Sequence, residues 1–155
     1  LSRLPIIGSE NYDITIHKYE PRGCLRTEIQ AGNRLLQFMS LHMGTSFFER
    51  RKQIHSLLAK HVLDQKKFAG NRIIAGDFNE WTHGLTTKMF EKNFNGIDAR
   101  LHLGKARTFP GIFPLFHLDH IYFDDSFRLL SASLFRTRSS LTASDHLPIV
   151  AELSI

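Results

Sequence analysis

The chain has 155 residues, enough for one folded domain with a buried core, and residues 1–155 are interpreted as a single domain. Its 20 Lys and Arg outnumber its 15 Asp and Glu, and this net charge of +5 favours anionic partners such as nucleic acid, phospholipid or phosphate esters. A single cysteine excludes an internal disulfide framework, and no apolar run approaches the ~20 residues that a membrane-spanning helix needs.

Alternating apolar residues in the first third predict strands, with a bend at Pro5 and a turn at 21–23. Gly32 suits a left-handed turn, so the strands on either side of it are expected to form a hairpin. Ser46 followed by Glu49 is a capping-box pattern, which predicts a helix from there to about Asp64. The four strands are predicted over residues 1–7, 13–19, 24–30 and 34–43.

The rest of the chain alternates strands with helices and loops. Residues 82–92 predict a second helix, 104–116 an irregular loop and 136–143 a polar loop. Further strands are predicted over residues 73–75, 117–123, 127–136 and 147–155. This order indicates a layered α/β protein in which helices cover sheets whose strands run both ways.

Asp77 and Asn79 follow the buried strand Ile73-Ile74-Ala75. Side chains alternate along a strand, so these two are expected to point the same way while Phe78 points into packing. A carboxylate and a carboxamide at the carboxyl end of a strand suit a hard divalent cation and a phosphate oxygen. Taken alone, both residues are better interpreted as ordinary turn formers at the end of a strand.

Three further clusters lie where a strand meets a loop, and none includes a convincing serine or cysteine nucleophile. Carboxylates can bind a hard cation, and a carboxylate-oriented histidine can activate water, so a phosphate ester is the natural substrate. The clusters are His42-Met43-Gly44, Leu118-Asp119-His120 and Ser144-Asp145-His146-Leu147-Pro148.

These ordered motifs resemble the endonuclease/exonuclease/phosphatase superfamily, which has the deoxyribonuclease-I-like fold. The family's strand–His–Gly–helix segment is similar to His42-Met43-Gly44 followed by Arg50, Arg51 and Gln53. Residues 1–5 resemble an early strand of the family. The resemblance implies a four-layer α/β/β/α sandwich of two mixed sheets flanked by helices, with the site at one end of both sheets. It implies Mg²⁺ as the cofactor, with Mn²⁺ as a possible substitute.

The resemblance also implies a role for each site residue. Asn79 would contact the scissile phosphate, and Asp77 would orient or deprotonate the attacking water or hold metal. His146 would touch the phosphate or transfer a proton, with Asp119 holding its imidazole. The remaining implied roles are a metal ligand for Asp145 and a second catalytic histidine for His42.

Other residues have a plainer interpretation. His42 could instead be a core histidine, His120 is expected to pack, and Phe78 and Trp81 are expected to fill the core. His55, His61, His102 and His117 are expected on loop or helix surfaces. Arg107 is the candidate phosphate clamp, although it could equally be an ordinary surface arginine. The 136–138 loop is a weaker candidate for the same role.

The family's early Asn and metal-binding Glu have no counterpart here, so we expect an N-terminally truncated chain with one sheet incomplete. Weak metal binding, low turnover and self-association through exposed strand edges would follow. The sequence thus predicts a metal-dependent phosphodiesterase of nuclease type. A phospholipid- or sphingomyelin-type phosphodiesterase and a truncated, non-catalytic module that binds an anionic partner stay open as alternatives. The single cysteine and the lack of a signal-peptide pattern favour a soluble, cytoplasmic protein.

Overall fold

The computed structural model describes residues 1–60, 62–63, 71–81, 84, 87–89, 92 and 97–155, which form a mixed α/β sandwich. Its helices with defined bounds are α1 (Phe47–Ala59) and α2 (Arg138–Ala143), and a 3₁₀ turn spans Ala99–His102. Its strands are β1 (Ile6–Asp13), β2 (Gly23–Ala31), β3 (Arg34–His42), β4 (Asn71–Asp77), β5 (Ile97–Asp98), β6 (Asp119–Phe123), β7 (Arg128–Leu134) and β8 (Ile149–Ser154).

The strands form one sheet of six and one of two. The larger sheet has the order β1-β2-β3-β4-β6-β5, and β7 pairs with β8. β3 and β4 run parallel, while the other neighbouring pairs are antiparallel. The predicted hairpin across Gly32 is confirmed as β2–β3, with Gly32 at a φ of 59°.

Apolar side chains cover both faces of the six-stranded sheet. On one face, Ile54 and Leu57 of α1 pack into a core with Met39 and Ile74, all of them fully buried. On the other face, a second cluster around Phe123 joins the sheet to β7 and β8. The described layers are therefore helix, sheet and sheet, and the predicted α/β class with two sheets is confirmed. No helix among the described residues is long and apolar enough to cross a membrane.

The first two predicted strands are placed wrongly. β1 covers Ile6–Asp13, whereas residues 1–4 are exposed and 14–19 lie outside any strand. The carboxylate of Asp13 accepts a hydrogen bond from Thr15 N at 2.8 Å, which turns the chain at the point where a strand was expected. Ile14 is buried in the core although it lies outside any strand, so alternating apolar residues here do not mark a strand.

Two helix predictions also need correction. α1 ends at Ala59 rather than near Asp64, Ser46 makes no side-chain capping bond, and the Glu49 side chain is buried. The predicted polar loop at 136–143 contains α2, capped reciprocally by Thr137 and Ser140. Of the predicted helix 82–92, residues 87–89 and 92 are helical, and most of the others lie outside the described residues.

Candidate active site

Three adjacent strands place His42, Asp77 and Asp119 in one row. His42 pairs in register with Asp77 across β3 and β4, and Asp77 pairs with Asp119 across β4 and β6. His42 Nε2 lies 3.4 Å from Asp77 Oδ2. Strand pairing alone therefore brings together residues that are separated by up to 77 positions along the chain.

A glycine lets β3 and β4 approach closely beside this row. Gly76 has a φ of 152°, and a Cβ built there would lie 1.8 Å from the carbonyl oxygen of Leu41. No larger residue fits this position unless the two strands separate. Gly76 thus sets the spacing of the strand ends that carry His42 and Asp77.

Asn79 reaches the site through a turn and not, as predicted, through strand alternation. β4 ends at Asp77, whose Oδ1 accepts a hydrogen bond from Asn79 N at 2.7 Å. Asn79 has a left-handed φ of 50°, which asparagine tolerates well. Its amide nitrogen donates to Met43 O at 2.9 Å and lies 3.2 Å from His42 Nε2.

The start of α1 fixes the loop that follows His42. The carboxylate of Glu49 packs against Gly44, where a Cβ would lie 1.9 Å from it. Gln53 Oε1 accepts a hydrogen bond from Gly44 N at 2.9 Å, and Arg50 donates to Gly44 O and Thr45 O. The buried polar residues of the helix therefore hold the loop rather than touch a substrate.

His146 is paired with Asp119. Its Nδ1 lies 2.8 Å from Asp119 Oδ2, so Nδ1 carries the proton and donates it to the carboxylate. Nε2 lies 4.0 Å from Asp77 Oδ2. The loop is anchored on both sides of His146, because Gly111 N donates to Asp145 O and Leu147 N to Thr108 O.

Two pKa values are raised in this cluster. Burial, with the nearby charge of Asp119, raises the pKa of Asp77 above the ordinary aspartate value. The hydrogen bond from Asn79 N lowers this pKa but does not outweigh burial. Burial alone would lower the pKa of His146, but the hydrogen bond and charge of Asp119, followed by Asp77 and Asp145, outweigh it and raise that pKa. The site thus holds a more basic carboxylate beside an imidazole that favours its protonated form.

These side chains line an open cavity of about 620 Å³, which we call the cleft. It brings together six of the seven predicted site residues and leaves out Arg107, which lies on a neighbouring cavity. The cleft is lined by Arg22, His42, Thr45, Asp77, Asn79, Trp81, Phe109, Leu118, Asp119, Ser144, Asp145 and His146.

Several plainer interpretations are decided by burial. The His42 side chain is 54% exposed, so it is not a core histidine. Trp81 is 46% exposed, so the prediction that it fills the core is wrong: it packs edge-on against Phe116 at the surface. His117 was expected at the surface but is buried, with its ring 5.0 Å from the ring of His120. Phe78 is buried as predicted.

The weaker clamp candidates lie away from the cleft. Arg136 donates to the carbonyl oxygen of Ile112 at 2.9 Å. Arg138 is the first residue of α2, and neither arginine lines the cleft.

Sequence reasoning missed Arg22. Its Nη1 donates to His42 Nδ1 at 2.8 Å, and its Nη2 donates to Glu20 at 2.8 Å. This bond leaves the ring proton of neutral His42 on Nε2, facing Asp77. No local motif marks Arg22; only the β2–β3 pairing, which places the start of β2 beside the end of β3, could have indicated it.

The donor set suits a hard cation. Asp77 and Asp145 supply carboxylate oxygens to one cavity, and burial, followed by the charge of Asp119, raises the pKa of Asp77. Mg²⁺ is commonly held by one or two carboxylates together with waters and substrate phosphate. The described residues contain no group of three or more acidic, histidine or cysteine side chains placed to hold a metal ion.

Comparisons with known proteins agree on one fold and one family. The model of the Endonuclease/Exonuclease/phosphatase family matches residues 1–146. The Escherichia coli K12 protein named "Uncharacterized protein YbhP" is 33% identical over 159 residues, which cover 100% of this chain and 61% of that protein. The chain therefore spans about 61% of the length of this curated relative.

Solved structures share the fold at low sequence identity. The Bacteroides thetaiotaomicron mannosyl-6-phosphatase Bt3783 superposes with a TM-score of 0.82 at 19% identity, covering 98% of this chain and 67% of that one. D. rerio TDP2, complexed with a single strand DNA product, gives a TM-score of 0.70 at 17% identity, covering 99% and 69%.

Proposed function

Because the chain belongs to the endonuclease/exonuclease/phosphatase family, we propose that its cleft hydrolyses phosphodiesters by direct attack of water. Members of this family are hydrolases acting on phosphate esters. The observation that carries the proposal is the convergence of Asp77, Asn79, Asp119 and His146 on one cleft. We expect inversion at phosphorus, because the motifs offer no convincing serine or cysteine nucleophile: the hydroxyl of Ser144 accepts a hydrogen bond from His146 N at 3.0 Å.

Each residue has a proposed role that follows from its contacts. Asp77, with its raised pKa, would orient or deprotonate the attacking water. Asn79, oriented through Met43 and Asp77, would contact the scissile phosphate. His146, kept in one orientation by Asp119, would donate from Nε2 to a phosphate oxygen as negative charge develops.

Two features support a part for His42 and Arg22 in the same reaction. Arg22 holds the His42 ring at 2.8 Å, while His42 lies 3.4 Å from Asp77. A proton on His42 Nε2 would steady the Asp77 carboxylate. The guanidinium of Arg22 would place positive charge beside the anionic substrate. The sequence had predicted this phosphate-binding role for Arg107.

We propose Mg²⁺ as the cofactor, with Mn²⁺ as a possible substitute, held by Asp145 and Asp77. When bound, such a cation supplies charge neutralisation to the phosphate and a low pKa to bound water. Asp145 is exposed at the rim of the cleft, which suits a ligand that shares its cation with solvent.

The test is hydrolysis of DNA, RNA and sphingomyelin, each with and without Mg²⁺. Turnover of a nucleic acid that requires Mg²⁺ is the expected result. The DNA product bound to D. rerio TDP2 supports this choice of first substrate. No hydrolysis of any of the three would contradict the proposal and favour the non-catalytic module that binds an anionic partner.

A phospholipid head group is the second candidate substrate. The loop beside the cleft exposes Ile112, Phe113 and Leu115, with exposed fractions of 77%, 72% and 53%. Apolar side chains exposed together in this way suit contact with a lipid surface. Hydrolysis of sphingomyelin in preference to DNA and RNA would establish this candidate instead.

Self-association of the chain through open strand edges stays a prediction.

A further inference from the structure

A second cavity of about 390 Å³ lies beside the cleft, and Trp81 belongs to the walls of both. The volume falls within the roughly 300–1,000 Å³ that is typical of ligand pockets. Its other polar wall residues are Glu80, Arg100, Arg107 and His117. We call it the arginine cavity, and none of these four residues has a part in the proposed hydrolysis.

Arg100 has a fixed backbone and an uncommitted side chain. Asp98 Oδ1 accepts a hydrogen bond from Arg100 N at 2.8 Å, and Asp98 Oδ2 lies 2.7 Å from His120 Nδ1. Within the described part of the chain, the guanidinium of Arg100 has no hydrogen-bond acceptor and no ion-pair partner. Because arginine keeps its charge at all ordinary pH values, this half-buried cation is available to an anion.

Arg107 is held in a similar way. Its Nη1 donates to Lys105 O at 3.0 Å and to Ala106 O at 3.1 Å. The next residue, Thr108, is anchored by its backbone N–H to Phe116 O at 2.8 Å. The remaining donors of Arg107 have no acceptor among the described residues, so they too are open.

The other polar groups of the wall offset this positive charge only in part. The carboxylate of Glu80 accepts hydrogen bonds from the backbone and hydroxyl groups of Thr87 and is thereby engaged. His117 is 7% exposed, and neither ring nitrogen makes a hydrogen bond of ordinary geometry to a described residue. Among the described residues of its wall, the cavity thus carries two guanidinium groups against one carboxylate.

We propose that the arginine cavity is a second phosphate subsite, in which Arg100 and Arg107 bind another phosphate group of the substrate whose scissile phosphate lies in the cleft. This inference rests on the proposed function. The shared wall supports it: Trp81 is 46% exposed and braced by Phe116 at a ring distance of 4.5 Å. The substrate class is then a phosphodiester with a second phosphate nearby, such as a 5′-phosphorylated dinucleotide.

The experiment follows binding through Trp81, the single tryptophan of the chain. Thymidine dinucleotides with and without a 5′-phosphate are titrated against the wild type and the double variant Arg100→Ala/Arg107→Ala. In the wild type the 5′-phosphate should tighten binding at least about tenfold, as expected for charge-assisted hydrogen bonds. The double variant should lose this gain, whereas Arg34→Ala/Arg128→Ala, with the same change in net charge, should keep it.

Two further binding measurements distinguish the arginine cavity from the cleft. Asn79→Ala should weaken both dinucleotides but preserve their ratio, because Asn79 lies in the cleft. Inorganic phosphate should bind the wild type at least about tenfold more tightly than the double arginine variant. Equal affinity for the two dinucleotides, a gain that survives in the double variant, or no binding of the phosphorylated dinucleotide would overturn the inference. A chain that shows the ratio but no hydrolysis would keep the subsite and contradict the proposed function.

Discussion

The cleft and the arginine cavity share one wall but differ in how their polar groups are partnered. In the cleft, His146 is bound to Asp119 at 2.8 Å, and His42 is bound to Arg22 at 2.8 Å. In the arginine cavity, Arg100 has no side-chain partner among the described residues, and Arg107 is only partly engaged.

This difference indicates two kinds of task. Groups that take part in bond breaking must be oriented before the substrate arrives, so partners that fix tautomers and rotamers are an advantage. Groups that only bind an anion need open donors, because every donor already satisfied inside the protein is lost to the ligand. The cleft therefore suits chemistry, and the arginine cavity suits binding.

The largest effect is expected at the frame of the cleft. Gly76→Ala should destabilise the chain by about 3 kcal/mol or more, because its Cβ would clash with Leu41 O. Gly32→Ala is the matched control: it also has positive φ but meets no atom within 4 Å, and it should cost about 1–2 kcal/mol. Urea unfolding measures both, and equal losses would show that the close strand approach is unimportant.

The arginine cavity should make the fold sensitive to acid through His117. Burial, with the charge of His120, lowers the pKa of His117 to about 4. The unfolded chain therefore takes up this proton first as the pH falls below about 6.5, and folding stability is lost between there and about pH 4. The loss between pH 7 and pH 5 should be about 2 kcal/mol.

Substitution of His117 checks this assignment. The variant His117→Asn should lose most of the extra instability at pH 5, whatever its stability at pH 7. The exposed His102, changed in the same way, should keep the wild-type pH dependence. Urea midpoints at the two pH values give the comparison, and an unchanged loss in the His117 variant would refute it.

Arg22 tests whether preorganisation in the cleft affects turnover. Arg22→Met should lower kcat/KM for a phosphodiester by about 10- to 100-fold, the effect expected when a hydrogen bond to a charged group is removed. Its partner Glu20 has a side chain that is 79% exposed, so Glu20→Gln should stay within about twofold of the wild type. Similar losses in both variants would instead attribute the effect to the Arg22–Glu20 ion pair, which both variants lose.

The smallest predicted effect concerns the cation. Asp145→Asn should weaken Mg²⁺ binding by about 3- to 10-fold, because the remaining ligands would be Asp77, water and substrate. Asp125→Asn, an exposed aspartate on the turn before β7, should leave the affinity unchanged. Calorimetric titration measures both, and a Mg²⁺ affinity that is insensitive to Asp145 would remove this residue from the proposed ligand set.

The sequence predicted the cleft better than its surroundings, for physical reasons. His42, Asp77, Asp119 and His146 lie in short motifs where strands meet loops, and pairing of β3 with β4 and of β4 with β6 brings the first three together. Arg22 and Arg100 lie in no motif, and their positions depend on strand register and on a cap by Asp98.

Burial of single side chains was harder to predict. Trp81 and His117 have reversed exposures relative to expectation: Trp81 packs on Phe116 of the 104–116 loop at the surface, whereas His117, just after that loop, packs against His120. Such loop packing has no sequence period, so no pattern in the chain could indicate it.

The most direct test of the central claim is the rate of Mg²⁺-dependent phosphodiester hydrolysis by His146→Ala relative to the wild type. His146 touches the place where the scissile phosphate should lie, so the rate should fall by about 10²- to 10⁴-fold while the melting temperature stays close to the wild type. The control His55→Ala removes an exposed histidine of α1 and should keep full activity. A His146→Ala rate within a few-fold of the control would contradict the assignment of the cleft as the hydrolytic site.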